Sequence, residues 1–228
     1  MDHAFTCTDL CPAPGGCGLD LSVAPGEFVA LRELPERHES AWLSAAATLR
    51  QPVRGTLKIC GKTAEFHRRE RLLNLRSRIG YVGPGSALVS DLTLLANLLL
   101  GHRYFGREGE ATERVLSLAR LLRLEPLLKV KPAVLPFQLQ RVAIYARELA
   151  KRPQLMVLDH PGLGLGEQAA RLVCRALAEE KEGGMAALLS AESPFLSLAD
   201  RVLLFEEGQP VRELTVETGG AAPVKAQA

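Results

Sequence analysis

The chain has 228 residues, of which 47% are hydrophobic and 24% are charged, a composition ordinary for a globular protein with one large domain. Its 28 basic and 26 acidic side chains leave a formal net charge of only +2, which argues against a general attraction to nucleic acid. The longest apolar stretch, 92–100, is far shorter than the roughly 20 residues that a membrane-spanning helix needs.

The N-terminal part of the chain is predicted to consist mainly of strands. Its first residues carry neither the basic nor the apolar region of a secretory signal, so we expect a cytoplasmic location. Apolar alternation and Pro-Gly turns predict strands over 4–10, 19–23, 27–31 and 56–59. Between the last two, the Ala- and Leu-rich run 40–49 predicts a helix.

Three of the five cysteines, Cys7, Cys11 and Cys17, lie close together in this region. An odd total is more typical of reduced thiols than of a disulfide framework. A metal site is the alternative, but the spacing offers neither a Cys-x-x-Cys pair nor a fourth ligand nearby. We therefore expect no metal here.

The remainder of the chain is predicted to alternate between helices and apolar strands. Helices are expected over 68–76, 92–101, 110–122, 137–151, about 166–182 and 193–199, and strands over 79–82, 155–158, 186–190 and 201–205. Such alternation is typical of a parallel sheet covered on both faces. The Gly-, Ala- and Lys-rich tail 217–228 is expected to be disordered.

Five segments in this order carry a family resemblance: Val23–Leu31, Arg78–Val82 with the following Asp91–Thr93 and Asn97, Gln140–Ala150, Leu155–Pro161 and Ala199–Val202. They resemble the ATP-binding cassette of ABC transporters. The resemblance implies an α/β, P-loop NTPase-like ABC cassette over 1–216. It would have a mixed or parallel sheet core, an antiparallel β subdomain and an inserted helical subdomain at about 84–150.

The resemblance also shows what the phosphate-binding Walker A loop lacks. Such a loop needs glycines that let backbone N–H groups wrap the phosphates, a lysine, and a Ser or Thr for magnesium. Glu33 and His38 stand where glycines belong, Glu39 replaces the lysine, and Pro35 removes an N–H donor. A carboxylate about 4 Å from a phosphate charge would be repelled by about 4 kcal/mol. Ser40 alone is retained, and its simpler interpretation is a cap of the next helix.

The other positions of the ATPase cycle are replaced as well, by correspondence with the family. Pro84 aligns with the Q-loop glutamine, and residues 134–138 align with the LSGGQ signature, where Phe137 is a replacement and Gln138 is retained. His160 aligns with the catalytic glutamate, Gly166 with the D-loop aspartate and Ala191 with the switch histidine. Asp159 keeps the Walker B aspartate. A histidine can act as a base, but a satisfied or surface histidine is the simpler interpretation of His160.

Because cassettes of this family form head-to-tail dimers that share two nucleotide sites, losses in both halves would affect both sites. We therefore expect no ATP hydrolysis, weak or absent binding of ATP and magnesium, and no other cofactor. The expected partners are an integral-membrane permease and a second cassette, either another copy or an intact paralogue. That would place the chain peripherally on the inner face of the cytoplasmic membrane.

The family's permease-docking groove corresponds to Val82, Pro84, Leu88, Val89, Leu92 and Leu95. The alternative is that these apolar residues pack the core of the helical subdomain. Residues 86–94 and the pair Arg103-Tyr104 are most similar to ATPase subunits of Mla-type, MCE-associated phospholipid transporters. We therefore expect a non-catalytic subunit that supports or regulates a transport complex, for phospholipids. A weak or altered ATPase and a soluble regulator that reuses the fold remain the alternatives.

Overall fold

The computed structural model describes residues 3–14, 18–32, 36–104, 108–204 and 212–215. The strands in this part of the chain are β1 (Phe5–Cys11), β2 (Leu19–Val23), β3 (Phe28–Arg32), β4 (Arg54–Ile59), β5 (Lys62–Thr63), β6 (Ile79–Val82), β7 (Leu155–Leu158), β8 (Ala186–Ser190), β9 (Arg201–Leu204) and β10 (Arg212–Thr215). The α-helices are α1 (Glu36–Ala46), α2 (Arg69–Arg76), α3 (Leu94–Leu98), α4 (Leu100–Tyr104), α5 (Glu108–Leu121), α6 (Phe137–Ala150) and α7 (Glu167–Glu182). Short 3-10 helices cover Glu125–Leu127, Pro132–Val134 and Phe195–Leu198.

Two sheets organise the described residues. The larger has six strands in the order β10-β9-β3-β8-β7-β6, all parallel except β10, which pairs antiparallel with β9. The smaller is antiparallel, in the order β2-β1-β4-β5. Helices α3 to α6 are inserted between β6 and β7. The predicted α/β class with a mixed sheet and an antiparallel subdomain is confirmed.

The central strands separate two hydrophobic cores. Every residue of β7 and β8 is buried, as expected of parallel strands covered on both faces. Successive side chains point to opposite faces, so Met156 and Leu158 join the core beneath α5, α6 and α7, whereas Leu155 and Val157 join the core beneath α1 and the antiparallel sheet. The apolar runs in the sequence therefore serve both cores.

Two predicted helices differ in the structure, and one observed strand of the larger sheet was not predicted. The helix expected to begin at Ser40 begins at Glu36, within the predicted phosphate loop. The single helix predicted over 92–101 is two short helices, the first capped by the Thr93 hydroxyl, which accepts a hydrogen bond from the Ala96 N–H at 3.3 Å. Strand β10 was not predicted, because it is specified by pairing with β9 rather than by a local pattern. The tail 217–228 lies outside the described residues.

The described cysteines of the N-terminal cluster, Cys7 and Cys11, are buried thiols. The Cys7 thiol donates to the Leu19 carbonyl at 3.3 Å and the Cys11 thiol to the Ala13 carbonyl at 3.0 Å. Burial raises the pKa of Cys7 to about 12, so the group stays a thiol. Cys17 lies outside the described residues. Among those that are described, no group of His, Cys, Asp and Glu side chains is arranged to hold a metal ion.

Candidate functional site

The candidate site lies at one edge of the larger sheet. Strands β3, β6, β7 and β8 are parallel neighbours, so their carboxyl ends meet there, where α/β proteins commonly bind ligands. The segment after β7 supplies Asp159 and His160, and the segment after β8 supplies Ala191 and Glu192. Helix α1 supplies Glu39 and Ser40 from the segment that follows β3. The structure thus brings together residues of three separate segments.

Asp159 is the most enclosed acid of the site. It is only 2% exposed, and both of its carboxylate oxygens accept hydrogen bonds from neighbouring side chains. The Ser40 hydroxyl donates to Oδ1 at 2.8 Å, and the Tyr81 hydroxyl donates to Oδ2 at 3.1 Å. Burial, reinforced by the charge of Asp159, raises the pKa of Tyr81 to about 12, so the phenol remains a donor. Ser40 lies inside α1, so the interpretation as a helix cap was wrong.

Glu39 places a buried carboxyl beside Asp159. The residue is 8% exposed, and its Oε1 has no hydrogen-bond partner among the described residues. Burial raises the pKa of this carboxyl, and a hydrogen bond with Ser190 and the nearby His160 oppose the shift only in part. Charged or protonated, the group carries no positive charge. Glu33 and Pro35 lie outside the described residues, and of His38 only the helical backbone is described.

His160 is held by the segment that follows β8. Its Nδ1 lies 2.6 Å from Glu192 Oε1, and its backbone N–H donates to Ser190 Oγ at 3.1 Å. The residue adopts φ 50°, a left-handed conformation uncommon for residues other than glycine. Partial burial lowers the pKa of His160, but the hydrogen bond and charge of Glu192, with the charge of Asp159, outweigh it, so the pKa lies above its ordinary value. His160 is therefore a satisfied, partly exposed histidine.

The raised pKa of His160 predicts how stability depends on pH. A group whose folded-state pKa is raised stabilises the fold fully below its unfolded pKa, near 6.5, and loses that contribution as pH rises through the folded-state value. We expect the His160 contribution to the free energy of unfolding to fall as pH rises from about 6 through the raised folded-state pKa. Urea denaturation across this range measures the fall, and a His160→Gln variant serves as the control. An equally steep fall in that variant would contradict the assignment to His160.

The residues aligned with the family signature form a different surface. Phe137 begins α6 and is 61% exposed, and the preceding Pro136 gives the helix no side-chain cap. Its ring lies against Gly164, where an added Cβ would come within 2.3 Å of Phe137 Cε1. The exposed Gln138 lies beside Gly166 in the same way. The start of α6 therefore presents an exposed apolar ring beside Gly164.

Arg141 joins the loops around this surface. Its guanidinium is fully buried and donates to the Gly83 carbonyl at 2.9 Å and the Leu163 carbonyl at 3.0 Å. The exposed Pro84 follows Gly83, and the backbone N–H of Ala191 donates to the Leu31 carbonyl at 2.8 Å. Neither Pro84 nor Ala191 offers a side-chain hydrogen-bonding group.

The predicted docking groove is only partly available to a partner. Val82 is fully buried in β6, so it belongs to the core and its inclusion in the groove was wrong. Leu88, Leu92 and Leu95 are half-buried, and Leu88 and Leu95 pack against the core. The exposed members are Pro84 and Val89.

A buried asparagine holds the exposed end of this groove in shape. Asn97 accepts a hydrogen bond from the Val89 N–H at 2.7 Å and donates to the Val89 carbonyl at 3.0 Å and the Leu92 carbonyl at 3.2 Å. It is fully buried. The loop is therefore fixed through its backbone, which leaves the side chain of Val89 free to contact a partner.

Sequence reasoning missed the roles of two site residues, Tyr81 and Glu192. Each had a usable signal, since Tyr81 is a polar residue in an apolar strand and Glu192 is an acid two residues beyond a buried strand. Nothing local indicated which side chains they would meet. Those partners, Asp159 and His160, come from a segment more than thirty residues away.

Searches against known proteins place the chain in a family. It is 32% identical over 202 residues to the lipoprotein-releasing system ATP-binding protein LolD of Aquifex aeolicus (strain VF5), covering 87% of this chain and 90% of LolD. It is 30% identical over 201 residues to the Nod factor export ATP-binding protein I of Burkholderia orbicola (strain AU 1054), covering 86% of this chain. That alignment spans only 64% of the Nod factor protein. No protein-family model matches the chain.

A solved structure supports the same assignment at the level of fold. An ATP-binding subunit of an ABC transporter superposes with a TM-score of 0.81 at 24% identity, covering 93% of this chain and 90% of the other. At this identity the likeness shows the fold alone. Because the LolD alignment covers nearly the whole of both proteins, the chain belongs to the ATP-binding cassette family of ABC-transporter subunits.

Proposed function

We propose that this chain is a non-catalytic cassette subunit that docks on an integral-membrane ABC permease and supports or regulates a transport complex. The observation that carries the proposal is Glu39, a buried carboxyl at the position of the phosphate-binding lysine. If ionised about 4 Å from a phosphate charge, it would cost about 4 kcal/mol, close to a thousandfold in affinity. If protonated, it still supplies no cation.

The surroundings of Asp159 support the proposal. Both carboxylate oxygens already accept a hydrogen bond, from Ser40 and Tyr81, so about two of the four lone-pair sites of this carboxylate are occupied before any magnesium ion could bind. The residues present do not fit ATP and magnesium as the family binds them.

The residues that correspond to the family's contacts with the γ-phosphate also support the non-catalytic role. His160 stands at the position of the catalytic glutamate, and its Nδ1 is bound by Glu192. Ala191 replaces the switch histidine, and Phe137 replaces a signature glycine that would face the second subunit. We infer that neither half of a shared nucleotide site works in this chain.

The proposed partners follow from the family. Pro84 and Val89 form the exposed part of the docking surface, which would receive the permease, and a second cassette, self or paralogue, would complete the dimer. The described part of the chain has no helix of the length and hydropathy needed to cross a bilayer. We propose a peripheral position on the inner face of the cytoplasmic membrane, reached through the permease.

For the cargo we propose a lipid, in keeping with the resemblance of residues 86–94 to Mla- and MCE-type phospholipid transporters. The Aquifex relative is named for lipoprotein release and the Burkholderia relative for Nod factor export. Co-expression with candidate permeases from the same genome, followed by mass spectrometry of co-purified lipid, tests the cargo. A complex that carries only a water-soluble solute would exclude it.

A weak or altered ATPase is the second candidate, and one contact favours it. The Nδ1 of His160 is paired with Glu192 at 2.6 Å, an arrangement that can orient an imidazole as a general base. Nε2 lies 3.9 Å from Asp159 Oδ1. In this case the chain would hydrolyse ATP slowly, with His160 in place of the usual glutamate.

Calorimetric titration with Mg-ATP separates the two candidates. We expect no saturable heat at nucleotide concentrations up to about 1 mM, because the phosphate-binding cation is absent. The Aquifex LolD cassette, titrated in the same buffer, is the positive control. Micromolar binding by this chain would overturn the proposed non-catalytic role and favour the altered ATPase.

A further inference from the structure

Glu192 bridges the two segments that leave the central strands of the sheet. Its Oε1 lies 2.6 Å from His160 Nδ1, and its Oε2 accepts a hydrogen bond from the Gly162 N–H at 3.1 Å. Both oxygens thus bind the segment that follows β7. In the opposite direction, the backbone N–H of His160 donates a hydrogen bond to Ser190 Oγ at 3.1 Å. Three hydrogen bonds therefore join segments that are thirty residues apart along the chain.

A buried aromatic pair holds the same two segments from α6. The Tyr145 hydroxyl donates to the Pro161 carbonyl at 2.7 Å, and its ring stacks on Phe195 with centroids 6.2 Å apart. Both rings are fully buried. Pro161 belongs to the segment after β7, and Phe195 lies beyond Glu192 on the segment after β8. The two segments are therefore joined by the same buried aromatic pair.

The backbone of His160 indicates that this arrangement is imposed by its surroundings. A non-glycine residue at φ 50° adopts a conformation that L side chains rarely take, and this conformation persists only where neighbouring contacts determine it. The contacts in question are those of His160 with Glu192 and Ser190.

The histidine and the acid come from segments opposite to those of the family. By family correspondence the catalytic glutamate aligns with His160 after β7 and the switch histidine with Ala191 after β8, whereas here the acid after β8 is Glu192, one residue beyond Ala191. We propose that Glu192, His160 and Gly162 form a latch that joins the two segments in the absence of nucleotide and holds residues 160–166 in one conformation. The inference rests on the proposed function in one respect, which is that no nucleotide occupies the site.

The latch fixes a surface as well as a site. The Leu163 carbonyl accepts a hydrogen bond from Arg141, and the Leu163 side chain is exposed. Gly164 lies against the exposed ring of Phe137. With His160 and Gly162 held by Glu192, this surface keeps the same shape whether or not nucleotide is available to order it.

Amide hydrogen exchange on the full chain without nucleotide tests the latch. We expect Glu192→Ala to speed exchange by about tenfold or more in residues 160–166 as well as around position 192. His160→Ala should affect the same two segments, and the double variant should be no faster than the faster single variant, because both remove one interaction. Glu192→Gln, which keeps the size and an acceptor for Gly162, should be intermediate and covers the case in which the alanine variant unfolds.

Glu125→Ala is the matched control, because Glu125 pairs with Arg120 on an exposed surface. It should leave both segments unchanged. Exchange in residues 160–166 of Glu192→Ala and Glu192→Gln that equals the wild-type rate would overturn the latch. Adding Mg-ATP to the wild-type chain tests the proposed function separately, since slower exchange on addition would refute the non-catalytic role and leave the nucleotide-free comparison intact.

Discussion

Replacing Val89 with aspartate is expected to reduce capture of the permease by at least about tenfold, because a charge would be buried in an apolar contact. Val89 is 43% exposed, and its loop is held by the Asn97 side chain through backbone groups. The substitution should therefore change the surface without unfolding the loop. Co-purification of the variant with the co-expressed permease measures the effect.

Val53→Asp provides the matched control for this experiment. Val53 is 60% exposed and lies just before β4 of the antiparallel sheet. The control should capture as much permease as the wild-type chain. Equal capture by Val89→Asp would show that the surface around Pro84 and Val89 does not contact the permease.

Replacing Phe195 with alanine is expected to lower the free energy of unfolding by about 3–5 kcal/mol. The ring is fully buried, stacks on Tyr145 and joins the core beneath α5, α6 and α7. Its loss would leave a cavity behind the segment that carries Glu192. Denaturant unfolding monitored by circular dichroism gives the value.

The control for the aromatic pair is Val134→Ala, since Val134 is largely exposed and should cost less than about 1 kcal/mol. A loss below about 1 kcal/mol for Phe195→Ala would mean that the ring contributes little packing. A loss in the expected range, accompanied by faster exchange around Glu192, would link the core to the candidate site.

The central strands could be predicted from sequence because their signal is local. Residues 155–158 and 186–190 are continuous apolar runs between helices, and the structure places strands at the same bounds. The start of α1 and strand β10 were not predictable in this way. Helix α1 begins inside a stretch whose family counterpart is a loop, and β10 depends on pairing with β9.

The candidate site, like the fold, could be predicted only in part from the sequence. The family resemblance assigned Ser40, Asp159 and His160 to motifs of one nucleotide site, and the structure brings them together at one edge of the sheet. The resemblance was insufficient to show that Glu192 binds His160 or that Tyr81 binds Asp159. Val82 was misassigned to a docking surface, because an apolar residue at a strand end can face either core or partner.

The order of most strands and helices, the family and the residue at each predicted motif position can be obtained from the amino-acid sequence, because each follows from local patterns along the chain. The tertiary structure alone reveals that Glu39 is buried, that Asp159 has both oxygens bound, and that Glu192 joins two segments. These features arise from side chains distant in sequence, whose approach depends on the packing of the whole sheet and its helices.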